Sequence, residues 1–418
     1  MIEPTIQSHS VRFGCVGLGG YAGASCEFLE QCGDDPAIAR PIALSAVYEP
    51  DQRRFARRIE QLRQRGVRVV GRYEDLLAGP VDAIWLPLPI DLHRPFTIQA
   101  LEAGKGVLCE KPAAGSVDDV DAMIAARDRC RRPVLIGYQH VYDPITAQVK
   151  RLLLDGAIGP VRSVTAWACW PRSTDYFSRN DWAGRHQRNG DWVMDSPANN
   201  ALAHYLNLPL FLLGETNNES AALNSVEAEL YRANAIENYD TASIRVTTER
   251  GVRLLVLFTH ACGESRGPTI RIEGDEGVLT LEPDVQTTLT TRRSSQSWPA
   301  YGDCRRHMIA AMRQMIRDGQ APGTLSTLES ARAQVVVVNA ASQAAYVRNI
   351  PQAVVRQVSM DDQHAMAVRG IESVFEKASS AGKMLHESGL VDWSVPAGKL
   401  EVRGYHHFTG PRPAPSAS

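Results

Sequence analysis

Residues 11–22 run Val11-Arg12-Phe13-Gly14-Cys15-Val16-Gly17-Leu18-Gly19-Gly20-Tyr21-Ala22. Val11–Val16 is a short apolar run of the kind a buried strand needs, and Tyr21 opens a stretch with apolar positions three and four apart. The glycines between them take the form Gly-x-Gly-x-x-Ala. Gly17 permits a tight turn, Gly19 lets backbone N–H groups come close to a ligand, and Ala22 is small enough for the helix to pack on the strand. The positive end of that helix faces the loop, which suits a pyrophosphate. Strand, loop and helix in this order predict a dinucleotide site built by Gly17, Leu18, Gly19, Gly20, Tyr21 and Ala22.

The same alternation continues outward. Apolar runs at 42–48, 67–70, 81–86, 106–109 and 134–137 are separated by helical stretches at 21–31, 51–63, 93–103 and 117–129. Ser116-Val117-Asp118-Asp119 reads as a helix entry with a capping hydroxyl. Apolar strands alternating with amphipathic helices predict a doubly wound parallel sheet, a Rossmann domain over residues 1–140. After Pro144 the pattern changes. A helix at 145–155 closes on Gly156, a strand follows at 161–170, a polar aromatic loop spans 170–190, and a helix covers 198–213. Thr- and Val-rich runs at 226–231, 242–247, 253–259, 269–272 and 278–281 suit an antiparallel sheet. Helices follow at 304–317, 328–347 and 361–386, and the Pro-rich tail at 411–418 reads as frayed. Residues 141–418 thus predict a second α/β domain with a large, mostly antiparallel open sheet and a C-terminal helical extension. The fold class is α/β throughout.

The bulk numbers narrow the function. A chain of 418 residues suits two domains, and its 44% hydrophobic content supplies sizeable cores. Lys and Arg total 45 against 47 Asp and Glu, so there is no basic excess to mark a nucleic acid or anionic membrane partner. No run approaches the roughly 18 apolar residues of a membrane span. Residues 1–10 are polar and lack the apolar core of a secretory signal, so the cytoplasm is the expected location. Eight cysteines form no CxxC pair and no zinc-type cluster, which predicts reduced core thiols and no metal.

Two further spots carry chemistry. Glu49 ends the second predicted strand, where an acid accepts bonds from the adenine ribose hydroxyls and favours NAD over NADP. Arg53 and Arg54 follow closely and leave a 2′-phosphate open. Glu110-Lys111-Pro112 ends the strand at 106–109, and ligands of a doubly wound sheet bind outside the carboxyl ends of its strands.

Glu110-Lys111-Pro112, the opening glycines, Pro89-Ile90-Asp91-Leu92-His93, Gly137-Tyr138-Gln139 and Gly156-Ala157-Ile158-Gly159-Pro160 occur together in this chain. In this combination the sequence resembles the Gfo/Idh/MocA family, named for glucose–fructose oxidoreductase, inositol dehydrogenase and MocA, over roughly residues 11–348. The resemblance implies NAD or NADP chemistry on sugars, polyols or related hydroxy compounds. It also implies homodimers or homotetramers formed through the open sheet. Lys111 would be the active-site lysine, Glu110 would lie near the nicotinamide ribose, and Pro89 and His93 would belong to the cofactor loop, with Ile90 where the family has Asn.

The family's Asp-x-x-x-His pair is broken in this chain. Asp195 in the Asp position leaves Asn199 at the histidine, while His204 is preceded four residues earlier by Asn200. A continuous helix over 198–213 would place Asn200 one turn from His204 and Asp195 out of reach. On that register Lys111, His204 and Asn200 are the catalytic set. His204 moves the hydroxyl proton and Lys111 bonds the reacting oxygen. Asp195 and Asn199 form the competing register and count here as substrate contacts, with Arg172, Tyr176, Trp182 and Arg185 of the 170–190 loop. His260 reads as structural. Two other functions stay open: a hydrolase that keeps NAD bound and cleaves glycosides through transient oxidation, and a non-catalytic NAD-binding sensor or regulatory subunit.

Overall fold

The computed structural model describes residues 10–33, 42–300, 302–360 and 362–415. The polar N-terminus read at 1–10 lies outside them except for Ser10, as do Asp361 and residues 416–418 of the tail. The first domain comprises β1 (Val11–Val16), α1 (Tyr21–Gly33), β2 (Ile42–Tyr48), α2 (Ala56–Gln64), β3 (Arg68–Val70), α3 (Tyr73–Leu77), β4 (Ala83–Leu86), α4 (His93–Glu102), β5 (Gly106–Cys109), α5 (Val117–Cys130) and β6 (Val134–Ile136). Its strands lie in the order β3-β2-β1-β4-β5-β6, all parallel. Strands buried on both faces explain the unbroken apolar runs: every residue of β4 and β5 is buried. The Ser116 hydroxyl caps α5 by accepting the Asp119 N–H.

The second domain begins with α6 (Pro144–Leu154), β7 (Val161–Cys169), α7 (Thr174–Ser178), β8 (Gln187–Arg188), β9 (Asp191–Trp192) and α8 (Ala203–Leu212). Strands β10 (Leu223–Arg232), β11 (Thr241–Thr248), β12 (Arg253–Thr259), β13 (Arg266–Gly274), β14 (Gly277–Glu282), β15 (Gln286–Thr291) and β16 (Ser295–Pro299) follow. Next come α9 (Cys304–Asp318), α10 (Leu328–Ala344), β17 (Arg348–Asn349), β18 (Val355–Met360), β19 (Gln363–Val368), α11 (Ile371–Ala381), α12 (Leu385–Ser388) and β20 (Gly398–Glu401). The large sheet runs β16-β15-β14-β13-β7-β12-β11-β10-β17, with β20 also on β10. It is antiparallel except where β7 meets β12 and β10 meets β17.

One face of this sheet buries Val164, Val226, Ile244, Val256 and Ile270 against α8 and α10. α9 and the start of α10 turn back and pack Met308, Ile309, Met312, Leu328 and Val335 on the first domain's core. Gly106 permits that approach, since a Cβ there would lie 2.4 Å from the Ile316 side chain.

The C-terminal residues depart from the sequence reading. The helix expected over 361–386 is instead the hairpin β18–β19, a turn at Gly370 with φ +68°, and the separate helices α11 and α12. His364-Ala365-Met366-Ala367 has helix-forming residues, but pairing with β18 overrides that local preference. The extension is therefore mixed rather than helical. It packs Ile371, Phe375 and Leu385 onto Leu255, Leu257 and Tyr231 of the sheet's other face. Glu387 pairs with Arg245 and His386 with the buried Glu229 on that same face. This chain thus covers with its own residues part of a face that the resemblance assigned to a second copy.

α8, which carries His204, is anchored at its far end by Lys150 of α6. The Lys150 side chain is completely buried, and Nζ donates to the carbonyls of Phe211 (2.6 Å), Gly214 (2.7 Å) and Glu219 (3.3 Å). These include orphan carbonyls of the last helical turn. Lys150→Met keeps the side chain's length and removes every donor, so it should lower unfolding stability by about 2–4 kcal/mol. Urea denaturation measures this, and a loss below about 0.5 kcal/mol would show that the ammonium does not hold the helix.

Candidate active site

The glycine-rich loop forms a cradle at the carboxyl end of β1. Gly17 has φ +88° and donates its N–H to Tyr48 O at 2.8 Å, a conformation L side chains rarely adopt. A Cβ on Gly19 would lie 3.3 Å from the Phe55 ring, so Phe55 walls the loop. Leu18 and Ala22 face the core, Gly20 also has positive φ, and Tyr21 is half-exposed with its hydroxyl donating to Glu110 Oε1 at 3.3 Å. Glu49 is buried, and its two oxygens accept the N–H groups of Leu18 and Asp51, each at 2.8 Å. The acid therefore ties the loop to the turn after β2 while keeping negative charge beside it. Arg53 and Arg54 are exposed, and the Arg54 guanidinium lies 5.2 Å from the Phe55 ring centre. A bare backbone turn at a helix N-terminus with a carboxylate alongside fits a dinucleotide.

Lys111 follows the buried Glu110 and precedes a cis peptide to Pro112. Glu110 accepts from the Trp85 indole N–H at 3.1 Å, and burial pushes its pKa up. Lys111 Nζ donates to Asn200 O at 2.6 Å, and Asn200 Nδ2 donates to Asp195 Oδ1 at 2.7 Å. Asp195 Oδ2 accepts the Gly184 N–H at 2.6 Å. Burial lowers the Lys111 pKa, opposed by the charges of Glu110 and Asp195. Burial raises that of Asp195, opposed by the Gly184 N–H, Arg179, Asn200 and Lys111.

This joint corrects the sequence reading of the chain before α8. Residues 198–213 are not one helix. Pro197–Asn199 is a single 3₁₀ turn, Asn200 stands at φ −133° and ψ −92°, and α8 begins only at Ala203. The break lets Asn200 turn its carbonyl to Lys111 and its amide to Asp195, five residues back. A continuous helix would have put Asp195 out of reach of His204 and given no reason to pair it with Asn200. Met194, buried at φ +48°, turns the chain just before Asp195 at a local cost of about 1–3 kcal/mol.

His204 lies in the first turn of α8 with its ring 5.2 Å from His140 and 5.7 Å from Tyr138. Its Nδ1 is buried without a partner, and burial, helped by Lys111 and His140, pushes its pKa well below the usual histidine value. His140 Nε2 bonds Asp284 at 3.2 Å. Tyr176 receives Asn200 Nδ2 at 3.4 Å, and the Arg172 guanidinium lies 5.1 Å from its ring centre. Trp182 is half-buried under Arg179 at 5.2 Å. His260 bonds the Trp170 carbonyl through Nδ1 at 2.8 Å, and burial lowers its pKa to about 3.

Three predicted site residues stand elsewhere. His93 is wholly buried, its ring nitrogens against the carbonyls of Pro112 (2.8 Å) and Leu88 (2.9 Å). It braces the Glu-Lys-Pro turn from behind and has no surface for a cofactor, whereas Pro89 of the same segment is only half-buried. Asn199 is also buried, its amide used by Val193 O (3.0 Å) and Gln334 Nε2 (3.0 Å), which holds the 3₁₀ turn. The exposed Arg185 sits beside Asp181, and only its carbonyl, which accepts the Asp195 N–H, serves the site. The sequence reading missed Arg179, His140 and Asp284. A second arginine beside Tyr176 was the one available signal, while nothing local marks His140 or Asp284.

Comparison with known proteins identifies the family. Residues 11–138 match the family model described as an oxidoreductase family with an NAD-binding Rossmann fold, and residues 146–280 match the GFO/IDH/MocA C-terminal domain. The chain is 27% identical over 228 residues to D-apiose dehydrogenase of Paraburkholderia graminis, a match covering 53% of this chain and 56% of that relative. The chain thus spans about half the length of that curated relative. Two solved structures share the fold. The WlbA dehydrogenase of Bordetella pertussis, in complex with NADH and UDP-GlcNAcA, aligns at TM-score 0.64 and 21% identity over 79% of this chain and 95% of that one. KijD10, a 3-ketoreductase of Actinomadura kijaniata in complex with TDP-benzene and NADP, aligns at TM-score 0.63 and 21% identity over 82% and 100%.

The charge of Asp195 opposes the loss of the Lys111 proton, so Asp195→Asn should lower the Lys111 pKa further. It also sets an amide NH₂ against one of two existing donors, with a stability loss of about 1–3 kcal/mol. Nitrogen NMR of the labelled lysine side chain tests the first point. An unchanged Lys111 titration would mean that Asp195 is not electrically part of this cluster.

Proposed function

We propose that this chain, which belongs to the Gfo/Idh/MocA oxidoreductase family, moves a hydride between a carbinol or carbonyl carbon of a sugar-like substrate and a bound nicotinamide dinucleotide. The observation that carries the reading is the bond from Lys111 Nζ, at the end of a Rossmann strand, to Asn200 of the second domain. It links the ammonium through Asn200 to the buried carboxylate of Asp195, and His204 lies within electrostatic reach of Lys111. The similarity to D-apiose dehydrogenase, and the sugar nucleotide held by the WlbA dehydrogenase, support a sugar-like substrate. Tyr176 and Trp182 offer faces for a sugar ring.

In oxidation the substrate hydroxyl gives up a proton as its carbon loses the hydride. Lys111 donates a hydrogen bond to that oxygen and stabilises its developing negative charge. His204, kept neutral by burial, accepts the proton, and in reduction it returns one. Asn200, held by Asp195, fixes the position of the ammonium. The backbone of the turn Gly17 to Tyr21, the helix behind it and Glu49 bind and orient the dinucleotide, and Glu49 disfavours a 2′-phosphate. No helix among the described residues is long and apolar enough to cross a membrane.

Three measurements bear on this. Lys111→Ala should leave dinucleotide affinity nearly intact and lower turnover by about 10²-fold or more, and unchanged turnover would refute the role. The oxidation rate should show no limb near pH 6.5, because His204 is already neutral there. It should fall on the alkaline side at a pH below the ordinary lysine value of 10.5, as Lys111 loses its proton through a lowered pKa. A limb at 6.5 that His204→Gln removes would show the histidine to be exposed and unshifted. NAD should bind at least about 10-fold more tightly than NADP, and Glu49→Gln should narrow the gap. Tighter NADP binding in a titration would transfer the choice to Arg53 or Arg54.

A further inference from the structure

Two arginines, Arg172 and Arg179, lie within electrostatic reach of Lys111, and Arg179 also acts on Asp195. The Arg179 guanidinium lies 3.6 Å from the Tyr176 ring centre, and that of Arg172 lies 5.1 Å from the same ring and 5.7 Å from Trp170. Arg172 donates to the Pro171 carbonyl and Arg179 to the Tyr176 carbonyl, and Arg172 Nε is buried with no partner. Among the described residues neither guanidinium takes part in an ion pair. Arg188, nearby in the chain, pairs with both Asp181 and Asp91. The Lys111 ammonium is itself within electrostatic reach of Arg172 and Arg179.

The local charge does not balance. Three cations, Lys111, Arg172 and Arg179, face two carboxylates, Glu110 and Asp195. Each oxygen of Asp195 already accepts an N–H, and Glu110 lies buried beneath Lys111 on the indole of Trp85. A cleft that gathers like charges on an aromatic platform and leaves one in excess is arranged for an anion supplied from outside.

We propose that Arg172 and Arg179 form a carboxylate-binding subsite, and that the substrate is an acidic sugar such as a uronate or aldonate. Tyr176 sets the spacing. Its ring carries both arginines, and its hydroxyl accepts from Asn200, the residue that holds Lys111. The carboxylate is thereby placed about one aromatic ring from the oxygen on which Lys111 acts. That separation suits an acid group and a reacting carbinol on the same sugar. An excess of one positive charge matches a monoanion, and planar guanidinium matches carboxylate geometry.

The inference rests on the oxidoreductase reading, and the experiment separates the two. The full chain is given NAD or NADP with D-glucuronate and D-gluconate, with D-glucose and myo-inositol as neutral counterparts, and with glucose 6-phosphate. NAD(P)H formation and the melting temperature of the dinucleotide complex are both followed. The acids should raise the melting temperature and be turned over with kcat/KM about 10-fold or more above the neutral sugars. Arg172→Met and Arg179→Met should raise KM for the acids by about 10-fold more than they raise KM for the neutral sugars.

Neutral sugars bound and oxidised as well as the acids, or arginine variants that affect both alike, would overturn the subsite and leave the oxidoreductase reading standing. Acids that stabilise the complex through both arginines without NAD(P)H formation would support the subsite and count against that reading. Stabilisation by glucose 6-phosphate alone would overturn the carboxylate assignment, and no stabilisation by any of these probes would overturn the subsite.

Discussion

Holding a lysine ammonium charged at a half-buried joint between the two domains constrains this structure more than any other single requirement. Removal from water disfavours the charge, so the protein must return hydrogen bonds and negative potential at close range. Here Glu110 stands behind Lys111 in the first domain, and Asn200, backed by Asp195, comes from the second. The lysine is therefore complete only when both halves of the molecule are in place. Much of the local backbone follows from this: the positive φ of Met194, the 3₁₀ turn of Pro197–Asn199, and the late start of α8.

The supports behind that joint are buried polar side chains. His93 braces the Glu-Lys-Pro turn between two carbonyls. Gln334 of α10 donates to Ala198 O at 2.8 Å and to Asn199 Oδ1, fixing the turn that presents Asn200. Lys150 closes the far end of α8. None of these touches the reacting atoms, yet each holds an element that does, as preorganised electrostatics requires. The same logic separates residues that look alike in sequence: Asn199 and Asn200 are neighbours, but one serves the scaffold and the other faces the cleft.

The C-terminal residues show a second way in which tertiary structure settles what local sequence leaves open. The outer face of the large sheet carries Tyr231, Leu255 and Leu257 among charged residues, and such a face must be covered or paired. This chain folds back upon itself, with Phe375 and Leu385 on the apolar part and Glu387 and His386 on Arg245 and Glu229. A helix-like composition at 361–386 could not disclose that Gln363–Val368 would become a strand of a hairpin, because the partner β18 supplies the deciding hydrogen bonds.

What the sequence determined by itself was everything carried by period and by short-range chemistry. Alternation of apolar runs with amphipathic stretches specified the parallel sheet, because strands buried on both faces have no other pattern available. The opening glycines marked the dinucleotide loop, because only glycine adopts the φ of Gly17 without strain. Lys111 was legible through its place at a strand's carboxyl end. What only the tertiary structure decided was the company Lys111 keeps. Asp195 and Asn200 meet across a break in the chain, Arg179 joins Arg172 on one tyrosine ring, and His140 approaches His204 from another element. The first of these contacts depends on dihedral angles at Met194 and Asn200 that long-range burial imposes against local preference. No spacing along the chain records them.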